Sequence, residues 1–383
     1  MKKVDKISSF LFMLVLLQAC DKEAVSPNGQ TKVSGTIETF AGMGPTSSGF
    51  AGDGGTATSA RLSYVTGVTV DGSNNVYISD GASNVIRKVN SSDGIISTIA
   101  GTFLGFNVID PTPYAGDGGP ATQAHFNTPW SISVDDSNNL YVVDIANMVV
   151  RQISANGIVS TVAGKGPTLG YEGDGSLATL ATFDNLYNVA SDDVGNLYIV
   201  DSQNHAIRMV TKSTGKISTI AGQGPDHAGY TGDNGPATAA TLNAPLAIAV
   251  DASGTVYIGD NLNNVIRKIS NGMISTYAGT GETGYSGDGG LATKATFSAI
   301  RGLATDAEGN LYISDSGNSV IRKVTLSTGK ISTIAGTGVA GYEGDGGPAL
   351  AAKIFDPLGI AVDSDGNVYF ADSQNSAIRV IWK

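Results

Sequence analysis

The chain has 383 residues, 51 of them glycine, with 41% apolar and 15% charged residues. Glycine well above its usual ~7% share, yet without a triplet period, excludes collagen, and the apolar content excludes a disordered chain. A net charge of −11, from 34 acids against 23 bases, argues against nucleic acid as a partner, because that needs a basic footprint.

Residues 1–19 read as a secretory signal: Lys2, Lys3 and Lys6 precede an apolar run, Ile7–Leu17, that is too short to span a bilayer, which takes about 20 residues. The run ends in Leu17-Gln18-Ala19-Cys20, which resembles a bacterial lipobox. That resemblance implies cleavage before Cys20, lipidation of its thiol and a membrane partner through the anchor. Cys20 is the only cysteine in the chain, so no internal disulfide is possible. Asp21-Lys22-Glu23 resembles the surface-export tag of some Bacteroidetes-type lipoproteins. The expected address is therefore the outer membrane, with the cell surface and the periplasmic face both open. Removing residues 1–19 takes away three lysines and one aspartate, so the mature charge is −11 − 2 = −13. Residues 20–34 form a polar, lipidated tether.

From residue 35 onward the chain repeats. Tyr-x-x-Asp ends at Asp80, Asp144, Asp201, Asp260, Asp315 and Asp372. Seven residues after each stands an arginine: Arg87, Arg151, Arg208, Arg267, Arg322 and Arg379. Nine residues before each stands another aspartate, from Asp71 to Asp363. Each unit holds four short runs rich in Val, Ile, Thr and Tyr, joined by turn residues. The spacing predicts six four-stranded antiparallel sheets arranged as a six-bladed β-propeller, an all-β fold. The expected blades cover 65–101, 129–164, 186–222, 245–279, 300–336 and 357–383. The last unit lacks its fourth run, and the missing copy stands at Thr36–Gly42 (TIETFAG). Residues 35–42 are therefore predicted to complete the last blade and cover its open edge.

GVTVDGSNNVYISDGASNVIRKV (67–89) and GIAVDSDGNVYFADSQNSAIRVI (359–381) resemble NHL repeats, and the full unit with its Gly-Asp-Gly-Gly-Pro-Ala-Thr linker is similar to teneurin-type and bacterial secreted NHL propellers. The resemblance covers residues 35–383. It implies the fold and leaves function open, because such propellers include binding platforms, sensor domains and lyases.

Linkers of 20–27 residues join the units. Each carries an aromatic residue (Phe50, Tyr114, Tyr171, Tyr230, Tyr285, Tyr342), and three residues later an aspartate (Asp53 to Asp345). One short helical turn per linker is expected, with the aromatic beneath it. The linker aspartate is expected to bond the backbone of its own turn, since one carboxylate per loop is too few for calcium. Asp80 and its five equivalents are expected to pair with Arg87 and its equivalents inside each blade.

Residues that recur six times serve folding, so a single site must lie where the repeats differ. Immediately before each innermost strand stand Thr66, Trp130, Tyr187, Leu246, Arg301 and Leu358, and one step on Asn188 is the polar exception. Thr66, Trp130, Tyr187, Asn188 and Arg301 are the candidate ligand-binding residues at the mouth of the central channel. Aromatic faces stack on sugar rings, and a guanidinium forks to an anion. The alternative is that Trp130 and Tyr187 plug the channel as ordinary packing.

His125, His205 and His227 fall at three different repeat positions, so no metal, cofactor or catalytic residue is expected. The expected function is a non-catalytic, lipid-anchored, monomeric binding module for a glycan, peptide or partner protein. The alternatives are a metal-dependent hydrolase or lyase with its site at the mouth, and a pure scaffold.

Overall fold

The computed structural model describes residues 32–106 and 114–383. The expected signal, Cys20 and most of the tether lie outside the described residues. Among the described residues there is no α-helix, and no helix is long and apolar enough to cross a membrane. The strands form six antiparallel sheets, each with four repeat-encoded strands in meander order. The molecule is a six-bladed β-propeller.

Blade 4 shows how the repeat encodes a sheet. Its strands are Ala247–Val250, Val256–Asp260, Val265–Ser270 and Met273–Ala278. Asp251 closes the first hairpin: its Oδ1 accepts the backbone N–H groups of Ser253 and Thr255, and its Oδ2 accepts the Tyr257 hydroxyl at 3.3 Å. The Tyr and the Asp nine residues before the motif's own Asp thus belong to one turn. A short 3-10 turn, Asn261–Asn263, makes the second connection and ends at Asn264 with φ 51°. Asn271-Gly272, at φ 52° and 74°, makes the third. Asn-Gly with both residues left-handed is the hairpin turn whose twist matches its strands. This sheet also gains a two-residue strand from the linker, Gly235–Pro236.

The cores lie between blades. Tyr198, Val200, Ile207 and Ala221 of blade 3 pack with Leu242 of the linker and Ile248, Val256, Ile258 and Ile274 of blade 4. Both faces of each sheet are therefore covered, which is why the second strand of every unit is buried at all five positions.

The ring closes as the sequence predicts. Ile37–Ala41 pairs antiparallel with Ala377–Ile381, with Ile37 opposite Ile381 and Glu38 opposite Val380. Phe40 meets the edge of Tyr369 at 5.0 Å. The first described strand and the last share one sheet.

The linkers differ from expectation in two respects. Each holds a 3-10 turn, such as Ala57–Ser59 or Ala237–Ala239, with its first alanine buried, and the first linker has a second at Pro45–Ser47. The preceding aromatic, however, does not lie beneath that turn. It lies over the repeat arginine: the Arg208 guanidinium is 4.9 Å from the Tyr171 ring, and Arg379 is 5.1 Å from Tyr342. The linker aspartate, expected to bond its own turn, is also drawn elsewhere. It reaches the arginine of the blade that its linker leads into, at 2.6 to 2.7 Å in all six units. A guanidinium offers five N–H donors and an apolar face, so it draws both groups towards itself.

Each repeat arginine is consequently held by two carboxylates. Arg208 contacts Asp174 at 2.6 Å and Asp201 at 3.2 Å and donates to the Glu172 carbonyl. The inner contacts run from 3.2 to 3.5 Å: Arg87–Asp80, Arg151–Asp144, Arg208–Asp201, Arg267–Asp260, Arg322–Asp315 and Arg379–Asp372. The arginines and these inner aspartates are fully buried or nearly so, whereas the linker aspartates stay about two-fifths to half exposed. The inner aspartate also receives a backbone N–H seventeen residues upstream, as in Asn243 to Asp260 at 2.7 Å. The cluster staples linker, second strand and third strand together.

Candidate ligand site at the channel mouth

Six innermost strands wall the central channel. Each is preceded by a non-glycine residue at positive φ: Tyr64 (48°), Thr128 (57°), Asn185 (57°), Ala244 (44°), Ala299 (57°) and Asp356 (54°). This left-handed step turns the linker into the strand. Its sixfold recurrence marks it as architecture rather than local functional strain. The side chains at the step and two residues beyond it differ from blade to blade and give the rim an uneven chemistry.

Blades 1 to 3 contribute a row of aromatic rings. Tyr64 and Trp130 have centroids 6.0 Å apart, and Trp130 meets Tyr187 edge-on at 5.2 Å. All three rings are half-buried. Blade 5 sends Arg301 across the position of Leu246, so that its Nη1 donates to the Tyr187 hydroxyl at 3.5 Å. Blade 6 places Asp356 within electrostatic reach of Tyr64, as does Arg301. Burial raises the pKa of both the Tyr64 and Tyr187 phenols, and the Arg301 charge partly opposes this. The Nε of Arg301 is shielded from solvent and has no acceptor among the described residues.

Of the sequence-predicted residues, the structure brings Trp130, Tyr187 and Arg301 together. Asn188 lies one step deeper, where its Oδ1 accepts the Ser131 hydroxyl at 2.7 Å. Thr66 is buried and donates to the carbonyls of Pro129 and Trp130 at 2.9 and 3.0 Å, so its hydroxyl joins blade 1 to blade 2 rather than facing a ligand. Sequence reasoning missed Tyr64 and Asp356. The usable cue was the residue two places before each mouth position, which varies in the same way.

Below the rim the channel is a cavity of about 260 Å³ lined by the innermost strands of all six blades, where Gly67, Ser131, Asn188 and Gly302 alternate with branched residues such as Val68 and Ile132. Its narrowness follows from glycine. A Cβ on Gly302 would overlap the Leu358 carbonyl, and one on Gly67 would stand 2.5 Å from the Trp130 carbonyl.

Histidine chemistry does not converge here. His205 Nδ1 accepts the Ala244 N–H at 3.0 Å, and burial lowers the pKa of its ring. His125 lies in the second linker, where its carbonyl takes an N–H from Arg151. Among the described residues no three His, Cys, Asp or Glu side chains gather so as to hold a metal ion.

A family model described as the Teneurin NHL domain matches residues 28–270. The chain belongs to that family. Among curated relatives of this NHL chain, Protein SUPPRESSOR OF QUENCHING 1, chloroplastic, of Arabidopsis thaliana is 27% identical over 79% of the chain and 28% of its own length. Teneurin-4 of Homo sapiens is 35% identical over 57% of the chain and 8% of its own length. The chain thus spans less than a third of either relative. A solved structure of a protein of unknown function from Bacteroides thetaiotaomicron has a TM-score of 0.67 at 20% identity, covering 90% of this chain and 74% of that one, a likeness of fold.

Proposed function

We propose that this NHL propeller is a non-catalytic binding module, held at the outer membrane by lipid on Cys20, that takes a glycan or other small polar ligand at its channel mouth. The observation that carries the reading is the meeting of Trp130, Tyr187 and Arg301, from three different blades, at positions where the other repeats hold none of these side chains. Rings and a guanidinium can grip a ligand, and among the described residues no three His, Cys, Asp or Glu side chains gather at the mouth so as to hold a metal ion. The Asn188–Ser131 bond and the small volume of the channel support a ligand that sits on the rim and sends only a small group inward.

Intrinsic fluorescence tests this, because the chain has two tryptophans and the other, Trp382, is buried in the closing blade. Titration with a panel of glycans, peptides and small acids is expected to change Trp130 emission for at least one class. Trp130→Ala is expected to abolish that binding while keeping the melting temperature within a few degrees of wild type. If no class perturbs emission and Trp130→Ala binds every partner as wild type does, the mouth is packing and the reading is wrong.

A further inference from the structure

Arg301 stands apart from the six repeat arginines. Each of those holds two carboxylates, whereas Arg301 makes no ion pair among the described residues, although it is half-buried. Its one hydrogen bond among the described residues is the 3.5 Å contact with the Tyr187 hydroxyl, a neutral acceptor. A partly desolvated guanidinium without a counter-anion is costly, and in a binding cleft it marks where a ligand's negative charge goes. The aromatic row and Asp356 set further limits. The aromatic row Tyr64–Trp130–Tyr187 offers ring faces and edges, which suit a ring that presents C–H groups, with the phenol and indole donors at their margins. Asp356 lies close enough to act on the same Tyr64 phenol as Arg301 does, yet it too makes no ion pair among the described residues. An unpaired carboxylate opposes a doubly charged group such as phosphate. It favours a ligand that has one negative charge and hydroxyl donors.

We infer that the mouth selects a sugar ring bearing a single carboxylate, with the ring on Trp130, the carboxylate on Arg301 and ring hydroxyls towards Asp356. The inference rests on the mouth being a binding site and names the ligand class for it. Uronates and sialates share this chemistry.

The test is a titration of the protein, by calorimetry and tryptophan emission, with a galacturonate trimer, with sialyl-lactose, and with the methyl ester of each. Arg301→Gln and Trp130→Ala are measured alongside. At least one acid is expected to bind, with its ester at least tenfold weaker. Arg301→Gln should bring the acid down to the level of the ester while leaving the ester unchanged, and Trp130→Ala should weaken both. Which acid binds separates the two sources. Equal binding of acid and ester, or an acid indifferent to Arg301→Gln, overturns the inference. So does Trp130-dependent binding of another class with no response to either acid, and in that case the mouth itself still stands as a site. Silence of Trp130 towards every class removes both.

Discussion

The hydroxyls of Thr39 and Tyr342 share a hydrogen bond of 2.6 Å although the residues are 303 positions apart. Thr39 also donates to Asp345, which holds Arg379 at 2.6 Å. The strand that opens the propeller is thus tied to the linker and the arginine of the blade that ends it. In the internal units the same links join a linker to a strand of its own repeat, as between Tyr171 and Thr219.

Deleting residues 35–42 removes that strand, uncovers Trp382 and Tyr369, and leaves the edge of Ala377–Ile381 unpaired. Loss of the buried Ile37 and Phe40 alone is worth about 5 kcal/mol. At roughly 2 °C per kcal/mol for a large domain, calorimetry should show a fall of about 10 °C in Tm. An unchanged Tm would mean that the closure contributes no stability.

Replacing Arg267 with methionine keeps most of the volume but leaves the fully buried Asp260 and its partner Asp233 without a cation. Breaking a buried pair from one side typically costs about 3–5 kcal/mol, so the urea midpoint should drop accordingly. Adding Asp260→Asn removes the stranded charge and should restore part of the loss. A single substitution that costs no more than the double would show that the charge is not the cause.

One unit breaks the tyrosine pattern, and the structure shows the consequence. Five linker tyrosines bond the hydroxyl of a fourth-strand threonine, for instance Tyr114 to Thr161 at 2.6 Å. The first unit has Phe50, and Thr98 is left with a buried hydroxyl and no partner among the described residues. Phe50→Tyr should supply the missing bond, stabilising by about 1 kcal/mol and raising Tm by roughly 2 °C. A fall in Tm would mean that the packing of Phe103 on Phe50, at 4.4 Å, leaves no room for the hydroxyl.

The architecture was legible because the positions that fold the blade recur six times. The Asp-to-Asp steps fixed the blade count, and TIETFAG at Thr36–Gly42 revealed the closure. The linkers were read less well. Asp53 and its equivalents stand 34 residues before the arginines they grip, as in Arg87 to Asp53 at 2.6 Å, and local turn rules cannot reach across that gap. At the mouth, Trp130, Tyr187 and Arg301 were visible as departures from the repeat. Thr66 was visible in the same way yet faces the neighbouring backbone, because its side chain is short enough to bond Pro129 and Trp130 instead.

The shared arginines also set the response to pH. One guanidinium sits between two carboxylates, and the nearer is the half-exposed linker aspartate. Burial of the inner aspartate therefore outweighs its hydrogen bonds and its arginine. The carboxyl pKa of Asp80 and Asp144 rises to about 7, and that of Asp201, Asp260, Asp315 and Asp372 to about 6. Groups with raised values hold protons in the folded state that the unfolded chain releases near pH 4, so their effect on stability worsens as pH rises from about 4 to 7. Asp71, Asp135, Asp174, Asp288 and Asp306 shift the opposite way: burial raises their values, but hydrogen bonds, with Arg208 and Arg322 aiding Asp174 and Asp288, bring them below the usual range. Their contribution is present above about pH 4 and is lost below it. The two sets together place the maximum of Tm near pH 4–5, with a decline towards neutrality. Calorimetry from pH 3 to pH 8 at fixed ionic strength checks this. A Tm that climbs steadily to pH 7 would show that the arginines keep the inner aspartates ionised throughout.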